Sequence, residues 1–240
     1  MTPVVGITCA WSVETWQDEA REGGYTYAGS AYPWAVQRAG GMPLMIPHVA
    51  PGADPAAVSQ SIVERLDGLV VSGGGGARIA GNGGLPPLAS QQPQRYDFES
   101  ALINKAVERG IPIIGICRGH QMITEVFGGS VSNIIPADSH MQIQPAWEPG
   151  HLIDVEPGTL IGELCGCGSW DVTSFHRQAV SKVPSGFRAS AFAPDGTIEA
   201  IESAGPQFIV GLQFHPEYLW ASDEKARKLF CGFIDRCRGG

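Results

Sequence analysis

The chain has 240 residues, of which 43% are hydrophobic and 17% are charged, and its formal net charge is −8 at pH 7. The negative charge argues against a nucleic-acid-binding protein, and the apolar content excludes a mainly disordered chain. The length suits one domain covering residues 1–240. The N-terminus shows no basic segment followed by a long apolar one, so we expect a cytoplasmic protein that does not associate with membranes.

The cysteines and histidines predict no metal site. Six cysteines are spread unevenly along the chain, which is unlike a disulfide scaffold and typical of reduced thiols. Cys165 and Cys167, with His151 and His176 nearby in sequence, come closest to a zinc motif. Their spacing matches no usual pattern of zinc ligands.

In the first half of the chain, short apolar runs alternate with helical patterns, which indicates an α/β fold. Strands are predicted at 4–9, 43–47, 68–71 and 112–116. Helices are predicted from about Pro33 to Gly40, from the N-cap Asp54 and Pro55 onward, and from Asp97 to Gly110. A loop rich in glycine and proline continues from Ser72 to about Gln94.

The second half of the chain has a different character. Strands are predicted at 187–192, 197–201 and 208–214, and Pro194-Asp195-Gly196 is a hairpin signal between the first two. We therefore expect this half of the sheet to be antiparallel. A final amphipathic helix is predicted from about Asp223 to Arg236.

The most informative stretch carries Cys117 between a continuously apolar strand and a helical pattern. The frame Gly115-x-Cys117-x-Gly119 has the form of a nucleophile elbow, in which small neighbours permit a strained turn that exposes the central side chain. Placement at a helix N-terminus stabilises a thiolate. The alternative is a buried structural cysteine beside packing glycines.

A thiolate nucleophile for acyl transfer needs a base, and the base needs a partner that orients it. His215 ends an apolar run, and Pro216 turns the chain so that Glu217 can reach back to the imidazole. We predict a triad of Cys117, His215 and Glu217. A lone histidine at a strand end can also be only structural.

The same chemistry needs donors for a developing oxyanion. The backbone N–H of Arg118 directly follows the nucleophile, and the glycine run after Ser72 can present backbone amides without steric interference. We predict that Gly74 and Arg118 form the oxyanion hole. The alternatives are a flexible loop or a phosphate cradle, although the Gly-Lys-Ser/Thr ending of a P-loop is missing.

These motifs, Gly-Ile-Cys-Arg-Gly-His-Gln at 115–121 and Gln-Phe-His-Pro-Glu at 213–217, resemble the class I glutamine amidotransferase superfamily. Within it, the chain is most similar to the γ-glutamyl-γ-aminobutyrate hydrolase family. Segments 39–43, 67–69, 174–179 and 195–200 extend the resemblance over nearly the whole chain.

The resemblance implies a flavodoxin-like three-layer α/β/α fold with a mostly parallel sheet and extra antiparallel strands in the C-terminal half. It implies hydrolysis of a γ-glutamyl amide through a thioester on Cys117, with no cofactor. The partner is then a small γ-glutamyl amide, and a homodimer is left open. The glutamyl head group would be held by a set of four residues: Gln121, Ser174, Phe175 and His176.

Three departures from the family pattern lie near the expected pocket: Ser72 in place of proline, the segment 76–79, and His176-Arg177 in place of two histidines. They leave open which amine is attached. Two other functions remain alternatives at this stage. One is a glutaminase that delivers ammonia to a separate synthase, and the other is a redox sensor that uses Cys117.

Overall fold

The computed structural model describes residues 1–12, 25–50, 52–74, 84–136 and 139–239. Within these residues, the strands are β1 (Val4–Thr8), β2 (Ala10–Ser12), β3 (Tyr25–Tyr27), β4 (Met42–Ile46), β5 (Gly68–Val71), β6 (Ile113–Ile116), β7 (Ser130–Asn133), β8 (His151–Val155), β9 (Gly168–Val172), β10 (Gln178–Lys182), β11 (Phe187–Phe192), β12 (Ile198–Ser203) and β13 (Ile209–Leu212). The helices are α1 (Ala31–Arg38), α2 (Pro55–Val63), α3 (Leu88–Gln91), α4 (Pro93–Arg109), α5 (Arg118–Val126), α6 (Leu160–Cys165) and α7 (Glu224–Cys237).

Eleven of these strands form one sheet with two distinct halves. The order β4-β1-β5-β6-β13 is parallel throughout, and β12, β11, β8 and β9 continue it in antiparallel pairings. Strand β10 pairs with β12 and β7, while β2 and β3 form a separate hairpin. The predicted α/β class, with a mostly parallel sheet and added antiparallel strands, is confirmed.

The sheet separates two hydrophobic cores. Alternate residues of β5 point to opposite faces, so Val70 joins one core while Leu69 and Val71 join the other. Helices α1, α6 and α7 cover the first face, and α2, α4 and α5 cover the second. This arrangement gives the three layers that parallel strands need for burial on both sides.

Three neighbouring parallel strands end at the same edge of the sheet. In register, Val71 of β5 pairs with Gly115 of β6, and Leu212 of β13 pairs with Ile116. The segments that follow β5, β6 and β13 therefore leave the sheet side by side. In α/β folds this carboxyl edge is where binding sites form.

Glycines allow α5 to pack directly on the sheet after β6. A Cβ at Gly119 would overlap the backbone carbonyl of Val71, and one at Gly115 would overlap the carbonyl of Gly119. No side chain could move aside to relieve either contact, since the obstacles are backbone atoms. Both positions of the predicted elbow thus require glycine for steric reasons.

Several sequence predictions need correction. The prediction that the second half is antiparallel is wrong for β13, which pairs parallel with β6 and is buried on both faces. Helix α4 begins at Pro93 rather than Asp97, because proline takes the first helical position. The loop predicted to reach Gln94 contains the short helix α3, and residues 75–83 of it lie outside the described residues.

In the part of the chain that the structure describes, every helix is too short or too polar to cross a bilayer.

The close approach of α5 to β5 predicts that a side chain at Gly119 destabilises the fold. Gly119→Ala should lower the free energy of unfolding by more than about 3 kcal/mol, because the added methyl meets backbone that cannot yield. Urea denaturation followed by circular dichroism measures this. The matched control is Gly205→Ala, whose methyl would meet only the Ser203 hydroxyl at 3.5 Å. A loss below about 0.5 kcal/mol for Gly119→Ala, as expected for a surface change, would contradict the packing argument.

Candidate active site

Cys117 lies at the strained junction between β6 and α5. Its backbone has φ 53° and ψ −104°, and among the described residues it is the only non-glycine with positive φ. Its N–H donates to the carbonyl of Leu212 at 2.7 Å, which fixes the turn against β13. The side chain is partly exposed, whereas the strand before it is fully buried. The geometry is that of a nucleophile elbow.

His215 and Glu217 form a buried pair beside this turn. Nδ1 of His215 lies 2.7 Å from Oε1 of Glu217. The Cys117 side chain also lies beside this imidazole. The N–H of His215 also donates to the carbonyl of Thr173 at 2.9 Å, so the segment after β9 holds the histidine in place. The structure therefore brings the three residues of the predicted triad together.

The surroundings of His215 favour its charged form. Burial lowers the pKa of the imidazole, but Glu217 and Cys117 outweigh burial and raise the pKa to about 10. An imidazolium between a carboxylate and a thiolate is the form that can deliver a proton to a leaving group. The pair is thus arranged for acid catalysis after nucleophilic attack.

The loop after β5 is held from behind by the buried guanidinium of Arg95. Its Nη1 donates to the carbonyl of Gly74 at 2.7 Å, and its Nη2 donates to the carbonyl of Ser72 at 2.8 Å. Nε donates to Glu99 Oε1 at 2.8 Å, which also accepts from the hydroxyl of Thr8. Arg95 is 1% exposed, so water does not compete for these contacts. The hydrogen bonds of the buried guanidinium therefore hold the loop in a fixed position.

Gly73 lies close to Cys117 and His215. Its N–H donates to the hydroxyl of Tyr32 at 2.9 Å. A Cβ here would lie 2.8 Å from that hydroxyl and 3.2 Å from Cε1 of His215, so a larger residue would displace the loop. Because Tyr32 takes the amide of Gly73, the next amide, at Gly74, is the one left for a substrate.

The two predicted oxyanion donors flank Cys117. Gly74 has φ +73° and nothing within 4 Å of its Cβ position, so only glycine adopts this conformation without strain. Arg118 is the first residue of α5, and its N–H has no acceptor within the helix. Both residues line the same cavity as Cys117.

That cavity has a volume of about 390 Å³ and opens over Cys117 and His215. Its walls come from segments after β5, β6 and β13 and from the antiparallel half of the chain: Gly74, Leu85, Gln91, Cys117, Arg118, Gln121, Met141, Phe175, His176, Arg177, Gln178, His215 and Tyr218. Leu85 and Gln91 belong to the long segment between β5 and α4, which therefore bounds the pocket. The size suits a small molecule of the amino-acid class.

Three of the four residues predicted to bind substrate line the cavity: Gln121, Phe175 and His176. Nε2 of Gln121 donates to the carbonyl of Gln178 at 2.9 Å, which fixes its side chain. Burial lowers the pKa of His176, with Glu199 acting in the opposite direction. Contacts with the backbone carbonyl of Gln178 therefore position the side chains of Gln121 and His176.

Ser174 lies behind the cavity wall and corrects one expectation. Its hydroxyl donates to the carbonyl of His140 at 2.8 Å, and its N–H donates to Gln142 Oε1 at 2.9 Å. The residue is 1% exposed and does not belong to the lining. Ser174 therefore anchors the segment that carries Phe175 and His176, because its polar groups are already used.

Two tryptophans that could have bounded the pocket lie elsewhere. Trp170 is buried in a core and donates its indole N–H to Asp223. Trp147 is 67% exposed, and neither residue lines the cavity. Arg95 and Tyr32, which hold the glycine loop, were not predicted from the sequence. The spacing of four between Arg95 and Glu99 allows an ion pair on one helix, but it does not indicate burial or contact with the loop.

The two histidines that are near the cysteine pair in sequence contact a different residue in the structure. Cys165 is buried at the end of α6 and Cys167 is exposed. His151 and His176 instead lie against Glu199, at 3.1 and 3.3 Å. In the described residues, the group able to hold a metal is His140, His151 and Glu199, and it contains neither cysteine.

Comparison with known proteins places this site in context. Residues 3–217 match the family model for Peptidase C26. A γ-glutamyl-γ-aminobutyrate hydrolase of Escherichia coli is 35% identical over 219 residues, which are 85% of this chain and 84% of that protein. A putative glutamine amidotransferase of Mycobacterium tuberculosis is 32% identical over 90% of this chain and 70% of its own length.

The fold also matches a solved structure. A putative GMP synthase protein from Thermoplasma acidophilum superposes with a TM-score of 0.64 over 100% of this chain and 96% of that chain, at 19% identity. At that identity the likeness shows the fold alone. The family match covers the elbow at Cys117 and the segment that ends at Glu217, and the chain belongs to the Peptidase C26 family of class I glutamine amidotransferase-like proteins.

Proposed function

We infer that this protein hydrolyses the γ-glutamyl amide bond of a γ-glutamylated amine and releases glutamate and the free amine. The observation that carries the proposal is the convergence of Cys117, His215 and Gly74 from three adjacent parallel strands onto one cavity. The similarity to a γ-glutamyl-γ-aminobutyrate hydrolase supports the same substrate class.

The first half of the reaction forms a thioester. Sγ of Cys117 attacks the side-chain carbonyl carbon of the glutamyl group, and the oxyanion is met by the N–H groups of Gly74 and Arg118. The carbon–nitrogen bond then breaks as His215 donates a proton to the leaving amine. Glu217 holds the ring and stabilises its charged form through the 2.7 Å contact.

The second half of the reaction returns the enzyme to its starting state. A water molecule gives a proton to His215 and attacks the thioester carbon. The carbon–sulfur bond breaks, glutamate leaves, and Cys117 is again a thiolate beside the imidazolium. No cofactor enters either step.

Arg118, which lines the cavity next to Cys117, carries a buried positive charge. Arg118 is 4% exposed, and none of its three guanidinium nitrogens has a hydrogen-bond partner in the described part of the chain. Burial lowers its pKa to about 10, with Glu99 opposing that effect from 3.8 Å away, so the guanidinium stays charged at neutral pH. Because these nitrogens are closed off from solvent and lie beside Glu99, the guanidinium adds positive charge near Cys117 rather than a direct contact with substrate.

A substrate panel tests the proposal directly. Glutamate release should be observed from γ-glutamyl amides of aliphatic amines, amino acids, polyamines or aromatic amines, at rates that differ between amines. The α-glutamyl isomers and D-glutamyl analogues should be essentially untouched, and free glutamine should be a poor substrate. Cys117→Ala should keep the fold and lose more than about 99% of the rate, because it lacks the nucleophile.

Two outcomes of the panel would contradict the proposal. Rapid release of ammonia from glutamine, increased by a partner synthase, would favour the glutaminase component of an amidotransferase instead. Turnover above about one per cent in Cys117→Ala would exclude this cysteine as the nucleophile, because such losses normally span several orders of magnitude.

The raised pKa of His215 predicts how kcat/KM depends on pH. At pH values below about 10 the imidazole is protonated, and as the pH rises through about 10 it loses the proton needed by the leaving amine. The alkaline limb of kcat/KM should therefore lie near pH 10. In Glu217→Gln the limb should move to lower pH, since the carboxylate that raises the pKa is gone.

The same variants separate orientation from proton transfer. His215→Ala should reduce kcat/KM at least about tenfold more than Glu217→Gln, because it removes the acid and base itself. If the alkaline limb of Glu217→Gln stays in place, or if the two variants are equally damaged, another group orients the imidazole.

Arg95 is a positioning residue for the oxyanion hole, since it contacts the loop carbonyls and not the cavity. Arg95→Lys keeps a positive charge but cannot span the carbonyls of Ser72 and Gly74, so kcat should fall about 100-fold with KM nearly unchanged. Lys105→Met, on the exposed face of the same helix, is the control and should leave both constants within about twofold. An unchanged kcat in Arg95→Lys would exclude this role.

A further inference from the structure

A second cluster of polar side chains lies behind the catalytic pocket. His140, His151 and Glu199 offer ligand atoms that all lie within 4.8 Å of one another. His151 begins β8 and Glu199 lies in β12, where its side chain is completely buried. The mechanism proposed above uses none of these three residues. Imidazole and carboxylate are the usual non-thiolate ligands of zinc.

One oxygen is the centre of this cluster. Oε1 of Glu199 lies 3.1 Å from Nδ1 of His140, 3.1 Å from Nε2 of His151 and 3.3 Å from Nε2 of His176. In a tetrahedral zinc site with bonds of about 2.0–2.1 Å, neighbouring ligand atoms stand about 3.3 Å apart. The two 3.1 Å contacts are hydrogen bonds in this structure. The same separations are also close to the edges of a zinc coordination shell, so a metal could replace the shared protons with little movement of the ligands.

His140 also has the outer partner that metal-binding histidines have. Its Nε2 lies 2.9 Å from Oδ2 of Asp195, which leaves Nδ1 directed at Glu199. A ligating histidine usually donates its other ring N–H to a carboxylate or a carbonyl, which fixes the tautomer and the orientation of the ring. Asp195 supplies this support from the hairpin between β11 and β12.

The cluster contains a buried atom that the described residues leave unsatisfied. Oε2 of Glu199 is inaccessible to solvent and lacks a hydrogen-bond partner there. Buried polar atoms in folded proteins nearly always have partners. A cation bound to this carboxylate would supply the missing interaction, and it would do so at a position that is already preorganised.

We propose that His140, His151 and Glu199 form a zinc site, with Asp195 as its outer support. The site would tie β8 and β12 to the segment of His140. His176 connects it to the pocket, because this residue faces Glu199 through Nε2 and also lines the catalytic cavity. No metal site was predicted from the sequence, because the three ligands lie far apart along the chain and form no spacing motif.

Zinc titration of the full-length protein tests the site. Protein stripped with a chelator and dialysed should bind one Zn²⁺ per chain with a Kd on the order of 1 µM or tighter, measured by competition with a chromophoric chelator. His151→Gln and Glu199→Gln should weaken binding more than about 100-fold, and Asp195→Asn about 10- to 100-fold. The side chain of Asp195 is half exposed, so Asp195→Asn should not disturb the core. It therefore tests the site even if His151→Gln or Glu199→Gln fails to fold.

The controls separate this site from the thiols. A triple variant, Cys117→Ser with Cys167→Ser and Cys231→Ser, removes the three cysteines that are not buried, and His48→Gln removes an unrelated histidine. Both should bind Zn²⁺ as the unaltered protein does, and Co²⁺ should give visible d–d bands without a thiolate charge-transfer band. Absence of binding, or binding lost in the cysteine variant but retained in Asp195→Asn and His151→Gln, would overturn the proposal.

Discussion

The backbone at Cys117 adopts a conformation that side chains rarely tolerate, and the neighbouring residues are arranged to hold it. Such strain costs about 1–3 kcal/mol. The hydrogen bond to Leu212 and the glycine contacts of α5 against β5 stabilise it. Relaxing the turn would move the thiol away from His215, so the strain and the reactive geometry are one feature.

A buried charge pair provides the rigidity on the other side of the nucleophile. Arg95 and Glu99 are each 1% exposed, and burial of two charges is costly unless each finds well-placed partners. Arg95 finds them in the carbonyls of Ser72, Gly73 and Gly74. The energetic cost of burial is thus linked to the shape of the loop, because a loop that moved would leave the guanidinium unpaired.

The grouping of Cys117, His215 and Glu217 could be predicted from the sequence because its signals are local. The elbow needs glycines two residues on either side of Cys117, and Pro216 sets Glu217 against His215 within three positions. Arg95, Tyr32 and the group around Glu199 were missed because their partners lie far away in sequence. Only the sheet register, which brings β8 near β12 through β11, places His151 beside Glu199.

The boundaries of elements were the less predictable part of the fold. Helix α4 starts before its first apolar position, and β13 carries no signal for its direction, since a continuously apolar run fits either pairing. In the structure β13 is the border strand, because it pairs parallel with β6 on one side and antiparallel with β12 on the other.

The border at β13 divides the protein into two parts with separate roles. Cys117 and the oxyanion loop follow strands of the parallel half, whereas Phe175, His176 and Gln178 come from connections and strands of the antiparallel half. His215 joins the two parts, because it follows β13 and its N–H is held by the carbonyl of Thr173 in the segment that carries Phe175 and His176. A change in that segment that reshapes the cavity therefore also bears on the position of the imidazole.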